Sequence, residues 1–354
     1  MRIPRALLLV PMLWLAAPPM VRADQADDFI QSQMKMFHLH GISIAVMKNG
    51  QIIKAQGYGA ADDERRTPAR TDTVYKIGSV SKQFIATAIM LLVRDGRVGV
   101  DDPISTYIDG TPAAWKSITV RHLLTHTGGL IRESPGFDAN KQISDADVLK
   151  AAFRVPLLSS PGEKWAYSNV GYYGLAEIIR HASGRPWHEY IDARVFQPAG
   201  LTIAPTNTKN PIANRARGYD GRHNSRVADD WVALRPSGAF LATVLELAKW
   251  DAVLYTDRVL TDAERRQMFT PVRLNDGTTA PYGFGWHVES WNGRRFVWHG
   301  GGLPGFSSQF VRYIDDGLSV ITLTNGSDVD SGAIARGLAQ LYLQTSTSPA
   351  AAAR

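Results

Sequence analysis

The stretch that decides the fold is Gly41-Ile42-Ser43-Ile44-Ala45-Val46-Met47, which is followed by Asn49-Gly50 and then by the strand-like residues 51–56. Asn-Gly between two apolar runs is the strongest short-range signal for a β-hairpin, because both residues tolerate the positive φ angles of a two-residue turn. A second pair of strand-like runs, 308–314 and 318–324, flanks an Asp-Asp-Gly turn near the other end of the chain. The sequence therefore predicts antiparallel hairpins at both ends.

Helix signals fill the middle of the chain. Three helices are predicted from caps and stop signals, over 170–182, 187–196 and 247–255. The first follows Ser168-Asn169 as its cap and stops at Gly184, and the last follows a capping box at 243–246.

Chain ends that meet in one sheet, with helices inserted between them, predict an α/β (α+β) fold with two lobes. We expect an α/β lobe from residues 24–80 and 270–345 and an all-α lobe from 81–269. A chain of 354 residues exceeds what one hydrophobic core usually organises, which also favours two lobes. Residues 346–354 predict a disordered tail.

The first chemical signal is Ser79-Val80-Ser81-Lys82, just ahead of the apolar run 84–93. Residues three apart on a helix share a face, so the Ser79 hydroxyl and the Lys82 amine can form a hydrogen bond. A serine is a weak nucleophile until a base takes its proton, and burial beside the apolar run would keep Lys82 neutral enough to act as that base. The pattern predicts an activated serine.

A second copy of the same pattern, Ser32-Gln33-Met34-Lys35, serves as a control. No long apolar helix follows it, and a four-letter pattern arises about once by chance in a chain of this length. We therefore interpret Ser32 as a surface residue.

Two further motifs follow Ser79 in the chain. They are Tyr167-Ser168-Asn169 and His299-Gly300-Gly301, the second behind the strand-like residues 295–298. With these three motifs in this order, the chain resembles the penicillin-recognising serine hydrolases: class C β-lactamases, D-alanyl-D-alanine carboxypeptidases, D-aminopeptidases and related esterases. The likeness runs from about residue 41 to about residue 343.

The resemblance implies an antiparallel sheet flanked by helices, an all-α lobe and an active site in the cleft between them. It makes Ser79 the nucleophile, with Lys82 and Tyr167 moving its proton. Backbone N–H groups would hold the oxyanion, chiefly those of Ser79 and Gly302. The resemblance assigns the substrate-binding and oxyanion site to Asn169, His299, Gly301 and Gly302.

Two departures within the family pattern bear on the substrate. Tyr167-Ser168-Asn169 replaces the Ser-Asp-Asn of class A enzymes, and His299 stands where many relatives have lysine. A neutral imidazole holds a carboxylate less strongly than lysine does. We therefore expect a serine hydrolase acting on esters or amides, including D-amino-acid peptides, with a small-molecule or peptidoglycan-derived substrate. A class C-like β-lactamase and a non-catalytic sensor or scaffold remain the alternatives.

The N-terminus reads as an export signal over residues 1–23, with arginines, an apolar segment and a small-residue cleavage site near Ala23. We expect a periplasmic or secreted protein without a stable membrane anchor. Cleavage would remove three arginines and no acid, which leaves +3 of the formal charge of +6. The basic residues are scattered and form no run, so nucleic acid is not an expected partner.

The sequence suggests neither a metal nor a cofactor. His122 and His126 have zinc-like spacing, but no glutamate lies between them as the H-E-x-x-H pattern requires. Residues 300–305 match G-x-G-x-x-G, yet Pro304 and the strand-like residues after it do not suit a dinucleotide-binding loop.

Overall fold

The computed structural model describes residues 20–343, apart from 139, 142 and 232, and for 20–24 it describes the backbone only. The predicted export signal lies mostly outside the described residues, and the predicted tail lies wholly outside them.

The helices and strands of the described residues form a large sheet and a helical region. The strands are β1 Gly41–Lys48, β2 Gln51–Asp62, β3 Thr67–Pro68, β4 Tyr75–Lys76, β5 Ala204–Pro205, β6 Tyr219–Asp220, β7 Arg226–Val227, β8 Phe240–Ala242, β9 Val272–Arg273, β10 Thr279–Ala280, β11 His287–Trp291, β12 Arg294–Leu303, β13 Phe306–Tyr313 and β14 Leu318–Thr324. The helices are α1 Met20–Phe37, α2 Lys82–Arg94, α3 Val120–Leu124, α4 Asp145–Ala152, α5 Asn169–Ser183, α6 Trp187–Ile191, α7 Gln197–Ala199, α8 Val244–Val253, α9 Asp262–Met268 and α10 Ser331–Leu343.

The large sheet is antiparallel and brings the two ends of the chain together. Its strand order is β11-β12-β13-β14-β1-β2-β3, and Ile44 of β1 lies opposite Thr322 of β14. β1 and β2 form the first predicted hairpin, with Asn49 and Gly50 both at positive φ. β13 and β14 form the second. Both hairpin predictions are confirmed.

Each face of this sheet packs against helices. Ile42, Ile44 and Val46 of β1 belong to the apolar cluster that includes side chains of α1 and α10. The alternate side chains Ala45 and Met47 belong to the larger cluster formed with α2, α5 and α8. Successive side chains of a strand point to opposite faces, so β1 is buried on both of its faces.

The predicted helices are present, with two local differences. The helix predicted over 187–196 is α6 followed by a π-helical turn, Asp192–Phe196. In α8 the Thr243 side chain accepts a hydrogen bond from the Glu246 nitrogen, but the Glu246 carboxylate accepts from the Thr202 nitrogen instead of closing the capping box. A contact distant in sequence has replaced the local one.

α5 matches its sequence signals more closely. It begins at Asn169, with Ser168 as a hydrogen-bonding cap, and ends at Ser183, just before Gly184, which has a φ of +71°. This cap matters for function because Tyr167 and Asn169 flank it. Within the described residues, no helix is long and apolar enough to cross a membrane.

Candidate active site

Ser79 lies on a tight turn that connects β4 to α2. It belongs to the 3₁₀ turn Gly78–Ser81, and Lys82 is the first residue of α2. A side chain on Gly78, which has a φ of +51°, would place its first carbon 2.9 Å from the Gly302 nitrogen of β12. The motif therefore spans a junction between turn and helix, and not the first two turns of one α-helix. Residues three apart eclipse each other in a 3₁₀ turn, so Ser79 and Lys82 still meet.

The Lys82 amine is enclosed by protein on every side. The residue is 0% exposed. Its Nζ lies 2.8 Å from the Asn169 Oδ1, 2.8 Å from the Ser237 carbonyl oxygen and 3.2 Å from the Ser79 Oγ. Burial lowers the pKa of Lys82 well below its usual value, and the positive charges of Arg235 and Arg132 lower it further, against the opposing effect of Glu133.

These three contacts decide where the lone pair of a neutral Lys82 points. The Asn169 and Ser237 oxygens belong to carbonyl groups, which only accept hydrogen bonds. A neutral amine has two N–H bonds, and these two oxygens take both of them. The remaining tetrahedral position of Nζ faces the Ser79 hydroxyl, which can then donate its proton to nitrogen. In this arrangement a neutral Lys82 could accept the Ser79 proton.

Asn169 is held in place by an ion pair that the sequence did not reveal. Its Nδ2 donates to the Glu133 carboxylate, which fixes the orientation of the amide and turns Oδ1 toward Lys82. Arg235 donates to both Glu133 oxygens at 2.9 Å. The Arg235 guanidinium also lies 4.1 Å from the ring centre of Phe137, a cation–π contact that restrains it.

Tyr167 lies one residue before the cap of α5, close to Ser79 and Lys82. Its phenol lies close enough to Ser79 for that hydroxyl to lower its pKa, and the Lys82 Nζ lies 4.8 Å from its ring centre. Burial raises the pKa of Tyr167 above its usual value, although the Ser79 hydroxyl and the charge of Arg132 act in the opposite direction. The phenol therefore stays protonated at neutral pH, and it can donate a proton.

His299 lies on β12, and both of its ring nitrogens are hydrogen-bonded within the protein. Nδ1 lies 2.7 Å from the Gly300 carbonyl oxygen, which can only accept, so Nδ1 carries the proton and Nε2 accepts from the Tyr282 hydroxyl at 2.9 Å. Burial lowers the pKa of His299 well below its usual value, and the charges of His287 and Lys82 lower it further. The ring is neutral, and it must give up one of these bonds before it can hold a substrate.

The two predicted glycines lie where β12 meets the Ser79 turn. A side chain on Gly301 would collide with the Ile77 carbonyl oxygen, whereas a side chain on Gly302 would meet nothing within 4 Å. Gly301 therefore permits the close approach of the two backbones, and Gly302 borders open space beside Ser79.

These residues surround one cleft of about 400 Å³. Six of the seven predicted site residues line it, and they are Ser79, Tyr167, Asn169, His299, Gly301 and Gly302. Lys82 lies behind them and reaches the cleft through Ser79. The structure thus brings together all the predicted site residues, whereas Ser32 lies on α1 and is exposed.

The cleft also contains charged residues that sequence reasoning missed. Arg132, Glu133 and Arg235 all line it. His299 supplies no fixed cation, but Arg132 and Arg235 bring two guanidinium groups to other parts of the cleft. No local pattern marks these residues, because their role depends on contacts made by the folded chain.

His126, which has zinc-like spacing from His122, lies against Ser168 and Tyr167. Its Nδ1 accepts from the Ser168 nitrogen at 3.1 Å, and its ring centre lies 4.3 Å from that of Tyr167. His122 accepts from the Thr119 nitrogen at the start of α3. In the described part of the chain, no group of three or more His, Cys, Asp or Glu side chains could hold a metal ion.

Comparison with known proteins gives the family. A family model described as Beta-lactamase matches residues 26–344. The chain belongs to this family. The family is one of serine hydrolases, as the site geometry suggests, and its fold agrees with the predicted antiparallel sheet flanked by helices.

Relatives within the family have several activities in their names. Penicillin-binding protein 4* of Bacillus subtilis is 31% identical over 81% of this chain and 68% of its own length. The D-aminopeptidase of Brucella anthropi is 27% identical over 80% of this chain and 55% of its own length. The chain thus spans about two thirds of the first relative and about half of the second.

The match to solved structures of the same fold spans a larger share of those chains. The octameric penicillin-binding protein homologue from Pyrococcus abyssi has a TM-score of 0.79 and 26% identity, over 92% of this chain and 77% of its own. The D-amino acid amidase from Ochrobactrum anthropi SV3 has a TM-score of 0.77 and 24% identity, over 91% and 99%. The second similarity shows the fold alone.

Proposed function

We propose that this protein is a serine hydrolase that forms an acyl-enzyme on Ser79 and cleaves esters or amides, including D-amino-acid peptide-like substrates. The observation that carries the proposal is the buried Lys82 amine, which lies 2.8 Å from the carbonyl oxygens of Asn169 and Ser237 and 3.2 Å from the Ser79 hydroxyl. A positioned, deprotonated amine is what a serine needs to react at neutral pH.

Acylation follows from these contacts. The Ser79 oxygen bonds to the substrate carbonyl carbon, its proton passes to Lys82, and the carbonyl π electrons move onto the oxygen. The N–H groups of Ser79 and Gly302 would stabilise this oxyanion, because they border the open space beside the nucleophile. The tetrahedral intermediate then collapses and breaks the bond to the leaving group.

The leaving group needs a proton, and Tyr167 is placed to supply it. Its phenol is protonated and lies close to Ser79 and beside Lys82, from which it can recover the proton. Water then attacks the ester on Ser79 with the same base, which restores the serine. Lys82 is thus the base and Tyr167 the acid in the first half of the reaction.

The substrate class is proposed from two sources. The neutral His299 offers no fixed charge at the position where many relatives have lysine, and two similar proteins are named as a D-aminopeptidase and a D-amino acid amidase. A class C-like β-lactamase is the second candidate, because penicillin-binding proteins are among the relatives.

The test uses a fluorophosphonate probe and a substrate panel. Mass spectrometry should find the adduct on the peptide that contains Ser79, in wild-type protein and in Ser32→Ala but not in Ser79→Ala. Short-chain esters and D-amino-acid anilides should be turned over faster than a chromogenic cephalosporin. Faster cephalosporin turnover would support the β-lactamase instead, and labelling without turnover of any substrate would support a sensor.

A further inference from the structure

Among the charged side chains that line the cleft, Arg132 differs from the other two. One Arg235 nitrogen donates to both Glu133 oxygens, so the two charges largely cancel. Arg132 is exposed, lines the same cleft, and has no carboxylate within 4 Å among the described residues. The cleft therefore contains one unpaired positive charge.

The Arg132 backbone is fixed relative to the catalytic groups. Its carbonyl oxygen accepts a hydrogen bond from the Asn169 nitrogen at 2.8 Å. The preceding carbonyl, that of Ile131, accepts from the Ser168 hydroxyl at 2.7 Å. Arg132 is thus tied to the start of α5, the same point of the chain that positions Tyr167 and Asn169.

The Arg132 guanidinium lies on the Tyr167 side of the cleft. Its central carbon is 5.2 Å from the ring centre of Tyr167. Besides the buried Lys82 amine, whose Nζ lies 4.8 Å from this ring centre and has three polar partners, the titratable groups on this side of the cleft are imidazoles. Burial lowers the pKa of His287 to about 4 and holds the pKa values of His126 and His299 well below their usual range. Arg132 is therefore the fixed charge of the described residues on this side.

We infer that Arg132 is a specificity-determining residue that binds an anionic group, preferably a carboxylate, on the leaving-group portion of the substrate. Arg132 is assigned to the leaving-group side of the substrate because its guanidinium packs against Tyr167, the residue that delivers the proton to the leaving group. A guanidinium presents paired N–H donors that match the two oxygens of a carboxylate. The inference rests on the proposed function, since it assumes that Tyr167 is the acid.

The experiment compares esters that differ only in the position of a carboxylate. Phenyl acetate and 3-acetoxybenzoate differ by a carboxylate on the leaving group. Phenyl butyrate and monophenyl succinate differ by a carboxylate on the acyl group. The measured quantity is the ratio of kcat/KM for the charged ester to that for the neutral ester, within each variant, so that general losses of activity cancel.

In Arg132→Gln we expect the leaving-group ratio to fall roughly five- to tenfold, the scale of a partly solvated charge-assisted contact. Arg132→Lys should keep part of the ratio, and Arg258→Gln, an exposed arginine away from the cleft, should keep all of it. Added salt should lower the ratio in wild-type protein and not in Arg132→Gln, because exposed charges are screened.

Two outcomes would overturn the inference while the proposed function stands. One is an unchanged leaving-group ratio in Arg132→Gln, and the other is a loss confined to the succinate pair. If wild-type protein shows no Ser79-dependent hydrolysis of either neutral ester, the proposed function itself fails, and the assignment of Arg132 fails with it.

Discussion

Ser32-Gln33-Met34-Lys35 and Ser79-Val80-Ser81-Lys82 have the same spacing and lie on helical backbone, yet their surroundings have little in common. The Ser32 hydroxyl donates to the Phe29 carbonyl oxygen at 2.7 Å, and both Ser32 and Lys35 are exposed to solvent. Lys82 is fully buried and has three polar partners, one of which is Ser79.

The difference shows that the pattern supplies proximity and that the fold supplies reactivity. A solvated lysine keeps its proton at neutral pH because water stabilises the ammonium ion. Lys82 loses that stabilisation on burial, and its two carbonyl partners accept hydrogen bonds from either protonation state. Only the second copy is therefore equipped to activate a serine.

The largest effect should come from replacing Lys82, with the same replacement of Lys35 as the control. Lys82→Met, which keeps most of the side-chain volume, should lower turnover of a short-chain ester about 1,000-fold or more, within the range expected for losing a positioned base. Lys35→Met should leave turnover unchanged. Circular dichroism and thermal melts would confirm that both variants fold, and near-wild-type turnover in Lys82→Met would contradict the role of base.

Loss of the proton donor should have the next largest effect. Tyr167→Phe should lower turnover about 100-fold, because the ring remains while the hydroxyl that serves the leaving group is gone. The effect should shrink for esters with more acidic leaving groups, which depart without protonation. The double variant Lys82→Met/Tyr167→Phe should lose less than the product of the two single losses, since both residues move the same proton.

The smallest effect tests how the neighbouring charges set the pKa of Lys82. Activity requires neutral Lys82, so kcat/KM should rise with pH as this amine loses its proton. Arg235 lowers the pKa of Lys82 and Glu133 raises it. Arg235→Gln should therefore move the acidic limb of the profile to higher pH, and Glu133→Gln should move it to lower pH.

In both variants the rate on the alkaline plateau should fall by less than about tenfold, because the reacting groups remain. A purely structural role for the ion pair would lower the plateau without displacing the limb in opposite directions. Such a result would leave burial alone as the cause of the lowered pKa of Lys82.

Much of the architecture could be predicted from local signals. Asn49-Gly50 fixed the first turn because these residues accept positive φ, and Ser168 and Gly184 marked the ends of α5 through cap chemistry. Predictions failed where a distant partner competed with a local one, as at Glu246, whose carboxylate bonds to the Thr202 nitrogen.

The candidate site divides in the same way. The sequence by itself identified the candidate residues, because the spacing of Ser79 and Lys82 predicts their contact and the resemblance to the serine hydrolases adds Tyr167 and Asn169. Only the tertiary structure decided the environment of those residues. The Glu133–Arg235 pair and the place of Arg132 in the same cleft as Ser79 and His299 arise from segments far apart in the chain. Burial and charge depend on what the folded chain places nearby, and no local pattern encodes that.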